Sequence, residues 1–126
     1  MVAEIIDGEK LADIVTNEIR FELDSLKKEG LMPSLIALQI GDNSSSKIYL
    51  EHQRNSCENL GINYTVLNLS QNTTQASLED HIRSLNINPS IHGIILQHPL
   101  PNHIDSIQAI QVMDPNKDVE GLHPLN

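Results

Sequence analysis

The chain has 126 residues, of which 39% are hydrophobic and only 2% aromatic, and its formal net charge at pH 7 is −9. That length suits one domain burying roughly two-thirds of its unfolded surface around a core of Leu, Ile and Val. Eight Lys and Arg, thinly spread, leave no basic stripe for nucleic acid, and no apolar run reaches the ~20 residues of a membrane span. A lone Cys57 and the lack of a basic-then-apolar leader point to a cytoplasmic protein.

Residues 2–6 read as a short edge strand. Asp7 can cap a helix whose stripe is Leu11, Ile14, Val15, Ile19, Leu23 and Leu26, closed by Lys27, Lys28 and Gly30. After Met32-Pro33, residues 34–40 form an apolar strand that Gly41 can leave at a sharp angle. Asn43 or Ser44 then caps a helix over 44–60, with Gly61 as its stop. On that helix Ser46, Tyr49 and Gln53 share one face.

Residues 62–69 alternate as a second strand, and Thr73 or Thr74 caps a third helix carrying Leu78, Ile82 and Leu85. Pro89 follows the end of that helix. The apolar run 93–97 suits a strand covered on both faces, and Pro99 and Pro101 must then leave the sheet. A fourth helix over about 103–113 presents Ile104, Ile107 and Ile110, and the tail from Asn116 reads as loop. Strands alternating with helices imply an α/β fold: a three-layer domain, residues 1–126, with a mainly parallel sheet flanked by helices. The ligand site belongs at the C-terminal strand ends, near Gly41, Leu69 and Gln97, with the final loop closing over it.

Six histidines invite a metal reading, yet none has helical His-x-x-x-His or Cys/His cluster spacing, so no metal site is expected. Cys57 reads better as a small buried hydrophobe than as a nucleophile, since no basic partner stands beside it in sequence. The Ser44-Ser45-Ser46 run lacks the second Gly and the Lys of a phosphate loop, which favours capping. By spacing alone Tyr49 is as readily a packing residue as a ligand contact, and Asp118 and Glu120 are ordinary loop charges.

Taken together, Tyr49, Gln97-His98-Pro99-Leu100-Pro101 and Lys117-Asp118-Val119-Glu120-Gly121 carry a specific resemblance. The chain is similar, over essentially its whole length, to the N-terminal catalytic domain of the bifunctional methylenetetrahydrofolate dehydrogenase/methenyltetrahydrofolate cyclohydrolase family. Ile6-Asp7-Gly8, Gly41-Asp42-Asn43, Ser46 to Leu50, Cys57 to Gly61 and Asp114 to Val119 extend the match. The resemblance implies that Tyr49 packs on a reduced folate and that Gln97 works at the one-carbon unit, with Ser46 and Pro99 as further substrate contacts.

Two positions depart from the family pattern. The family's acid/base Lys is Gln53 here, and its pterin-holding Asp is Glu120. A carboxamide offers hydrogen bonds but no accessible titration, and losing a general acid/base typically forfeits about 10²–10⁴-fold in rate. Glu120 keeps the charge and shifts it by a methylene. Arg54 points about 100° away along the helix and does not substitute. The family's Rossmann half, which holds NADP, has no counterpart in these residues, so no cofactor is expected and dehydrogenase activity is not. An apolar strip that a family helix would cover is expected to favour a homo-oligomer or a full-length homologue as partner. The expectation is a stand-alone reduced-folate-binding relative with impaired catalysis. The alternatives are a minimal methenyltetrahydrofolate cyclohydrolase and a non-catalytic partner subunit.

Overall fold

The structure, a computed structural model, describes residues 2–126. The chain divides into two compact units, one ending at Met32 and one spanning Pro33–Asn126. The first is built on helix α1, Gly8–Lys28. Asp7 caps it as its side chain accepts from the Lys10 N–H at 3.1 Å, which satisfies one of the first-turn donors. At the far end the Leu31 N–H returns to the Leu26 carbonyl at 3.0 Å. Residues 2–6 form no strand, contrary to expectation. Their apolar character alone does not make a ladder, and no strand pairs with them.

The second unit contains β1 (Ser34–Ile40), α2 (Ser44–Leu60), β2 (Asn63–Leu69), α3 (Gln75–Asn86), β3 (Gly93–Leu96) and α4 (Ser106–Val112). The three strands form a parallel sheet in the order β2-β1-β3. Strand alternation then divides the side chains. Ile36, Leu38 and Ile40 pack with Leu78 and Ile82 of α3 and with Ala109 of α4, whereas Ala37 packs with Leu50 of α2 and Ile95. The result is three layers, α2 on one face and α3 with α4 on the other, as the strand and helix periodicities require. Each fully buried Leu or Ile in that core contributes about 1.5–3 kcal/mol of hydrophobic stabilisation.

Boundaries shift where a backbone group has another use. The second strand begins at Asn63 rather than at Ile62, because the Ile62 N–H closes the α2 cap on the Cys57 carbonyl at 2.9 Å. The third ends at Leu96, leaving Gln97 just outside it. Helix α4 is shorter than 103–113, since Asp105 caps it by accepting from Gln108 N–H at 3.0 Å. Ile104 is therefore buried ahead of the helix, Ala109 and Met113 face the core, and Ile107 is exposed. Gly93 is needed for close approach: a Cβ there would collide with the side chains of Leu35 and Val119. At that point the tail crosses β3, with the Ile94 N–H donating to the Lys117 carbonyl at 2.8 Å.

Candidate active site

The sheet's C-terminal edge collects the site. The Gly41 N–H donates to the Leu69 carbonyl and the Gln97 N–H to the Leu38 carbonyl, both at 2.9 Å, so the three strand ends are tied side by side. Gly41 (φ 77) releases the chain into the α2 cap, where Asn43 Oδ1 accepts from the N–H groups of Ser45 and Ser46. That cap brings Ser46, which is buried, onto the outgoing strand end.

The carbonyl oxygen of His98 is the junction. The Ser46 hydroxyl donates to it at 3.4 Å and the Gln97 carboxamide nitrogen at 3.2 Å. The His98 ring Nδ1 lies 3.0 Å from the Leu96 carbonyl oxygen, and the His98–Pro99 peptide is cis. Gln97 is buried, whereas His98 and Pro99 are exposed at the rim.

Tyr49 and Gln53 lie further along α2 and line a groove of ≈340 Å³ with Leu35, Cys57, Tyr64 and Ile95. Tyr49 is 53% exposed. Gln53 is half-buried, and its Oε1 accepts the Tyr64 hydroxyl at 2.7 Å. Burial pushes the Tyr64 phenol up to about 12; Cys57 and Tyr49 add to the rise, and Arg54, 5.8 Å over the ring, opposes it. Cys57 is buried and its thiol is likewise pushed up by desolvation, the opposite of an activated nucleophile. Thus Ser46 meets the Gln97–His98 turn, while Gln53 is engaged with Tyr64. That partner was not anticipated from sequence; strand alternation, which puts Tyr64 on the α2 side with Val66, was the available signal.

Glu120 stands on the closing loop. Its side chain is exposed; partial desolvation raises its carboxyl above the ordinary value, His98 draws it down and Asp118 pushes it up. Desolvation also pushes Asp118 upward, but hydrogen bonds from His123 N–H (2.7 Å) and the Asn126 amide (3.2 Å), with the N–H groups of Glu120 and Gly121, outweigh it and hold the group low. The second unit has two lysines. Lys117 donates to the carbonyls of Leu85 and Asn88, both at 2.8 Å, and Lys47 pairs with Asp42 at 2.9 Å. Neither interaction involves position 53.

Among the described residues no three His, Cys, Asp or Glu side chains gather where they could hold a metal ion, and no helix is long and apolar enough to cross a membrane. The start of α2 does not offer a pyrophosphate site. The N–H groups at the start of α2 that a pyrophosphate would need are taken by Asn43, and no glycine follows Gly41 before Gly61.

A parallel α/β unit with a polar junction at its strand ends defines a small-molecule site of the α/β type. The sequence matches the profile of the tetrahydrofolate dehydrogenase/cyclohydrolase catalytic domain over residues 6–120. The bifunctional protein FolD of Nautilia profundicola is 38% identical over 97% of this chain and 43% of its own length. FolD 2 of Myxococcus xanthus is 41% identical over 100% of the chain and 44% of its own length. The crystal structure of FolD methylenetetrahydrofolate dehydrogenase/cyclohydrolase from Campylobacter jejuni superimposes with a TM-score of 0.90 at 35% identity, over 94% of this chain and 42% of that one. The silkworm methylenetetrahydrofolate dehydrogenase gives 0.91 at 26% identity. The chain therefore belongs to the tetrahydrofolate dehydrogenase/cyclohydrolase family, a family of folate one-carbon metabolism. It spans less than half the length of these relatives.

Proposed function

We propose that this chain binds a reduced folate at the C-terminal end of its sheet and hydrolyses the methenyl form poorly. Tyr49 supplies an exposed aromatic face for the ligand's ring system, Gln97 and Ser46 shape the turn at the one-carbon unit, Pro99 forms the rim, and Glu120 binds the pterin from the closing loop. The observation that carries the reading is at Gln53. Its carboxamide oxygen accepts the Tyr64 hydroxyl at 2.7 Å, where the family resemblance implies a lysine. An amide so held can donate through its nitrogen, but it neither takes up nor releases a proton near neutral pH. The pocket is then a binding site whose proton carrier has been replaced.

The test is a fluorescence titration of tetrahydrofolate into the natural chain and into Tyr49→Ala and Glu120→Ala. Saturable binding weakened by both substitutions supports the reading, with about tenfold or more lost for the charged contact. Binding that ignores both substitutions would contradict it.

A further inference from the structure

On the other flank of α2, a second groove of ≈870 Å³ opens between the helix and the C-terminal ends of β1 and β2. Its apolar floor is Leu50 and Val66, and Gln39, Asn68 and Arg54 also line it. Gly41 and Leu69 of the strand ends also line it, but Ser46, Tyr49, Gln53, Gln97, Pro99 and Glu120 do not. Its volume lies within the usual range for small-molecule sites.

Gln39 is the informative residue. It sits in the central strand at 6% exposure, and its carboxamide has no hydrogen-bond partner among the described residues. A carboxamide would be costly to leave unmatched if its atoms were shut off from water. Every fully enclosed side-chain nitrogen and oxygen among the described residues does have a partner. The Gln39 amide atoms must therefore open on the groove that the residue lines. In the parallel register Gln39 stands beside Asn68 of β2, so two carboxamides lie in one row on the α2 face.

The helix side of the groove supplies charge. Lys47 and Asp42 neutralise one another as an ion pair at 2.9 Å. Arg54 makes no ion pair among the described residues, and its guanidinium is positioned over the Tyr64 ring at 5.8 Å. A stacked guanidinium with free N–H groups suits a carboxylate, which it can bind through two parallel hydrogen bonds. Glu51, one turn earlier, balances the groove's remaining charge and sets a limit on it. A highly charged anion such as a diphosphate is disfavoured relative to a single carboxylate.

We propose that this groove is a second binding site, for a small planar molecule with an amide- or imide-like edge and one carboxylate. The edge pairs with the carboxamides of Gln39 and Asn68, each of which offers a donor and an acceptor, and the carboxylate meets Arg54. Leu50 and Val66 pack against the ring.

The experiment uses orotate, which has both an imide edge and a carboxylate, against uracil, which lacks the carboxylate, and benzoate, which lacks the edge. Side-chain amide NMR signals of the full chain are followed as each probe is added. Orotate should saturably shift the Gln39 amide and bind about tenfold or more tightly than either control. Arg54→Gln should bring orotate down to the affinity of uracil, and Gln39→Leu down to that of benzoate. Arg54 is exposed, so its variant remains informative even if the buried Gln39→Leu change disturbs folding. No saturable shift at Gln39, equal affinity for all three probes, or shifts centred on Tyr49 and Gln97 would each overturn the proposal.

Discussion

An amide and an ammonium at position 53 make different demands on Tyr64. Gln53 accepts the phenol's proton in a hydrogen bond, so it favours the neutral tyrosine that burial already favours. A lysine there would favour the phenolate. In a Tyr49→Phe background, which removes a small part of the rise, the remaining tyrosine should still titrate above the ordinary 10.0 by phenolate absorbance, and adding Gln53→Lys should lower that midpoint. An unmoved midpoint would place residue 53 away from the phenol. The folded-state value is raised from an ordinary 10.0 to about 12, so the stabilisation tied to neutral Tyr64 is complete below pH 10.0. It is lost as pH rises through about 12, and Tyr64→Phe should flatten that loss in alkaline denaturation curves.

Asp118 behaves in the opposite sense. Its folded value is depressed from 3.8, so its contribution is present above that pH and fades as pH falls through the lower folded value. Asp118→Asn keeps the shape but weakens the bonds to His123 N–H and the Asn126 amide. A loss of up to about 1 kcal/mol in urea unfolding near neutral pH is expected, since solvent screens this partly exposed group, and it should shrink in acid. A loss of equal size across the acid range would mean that the carboxylate charge is not what orders the loop.

Among the elements, the features best read from sequence are those fixed by neighbours along the chain. Asn43 and Gly61 bound α2, Thr74 caps α3 by accepting from Ser77 N–H at 3.1 Å, and the apolar run in β1 marks the strand buried on both faces. Thr74→Ala should cost about 1 kcal/mol, and Leu38→Ala, in the middle of the sheet, about 2–5 kcal/mol by thermal or urea unfolding. Equal effects would contradict the division between helix cap and core. What distant pairing decides was not legible. The tail's bridge from Asp118 to Ile94 and the link from Gln53 to Tyr64 both depend on residues many positions away. Residues 2–6 fail as a strand for the same reason, since apolar composition cannot supply an adjacent ladder.

For the molecule as a whole, the family and its α/β architecture were readable from ordered motifs, and the relatives bear both out. Gln53 and Glu120 stood out in the sequence only as departures from the resemblance, because a residue type alone does not say which contact its side chain makes. The structure supplies that contact in Tyr64. The central claim concerns rate, so a rate tests it most directly: methenyltetrahydrofolate hydrolysis, above the uncatalysed background, by the natural chain and by the Gln53→Lys/Glu120→Asp double variant. The account predicts that the double variant is faster by about 10²-fold or more. Equal rates, with the natural chain well above background, would contradict it.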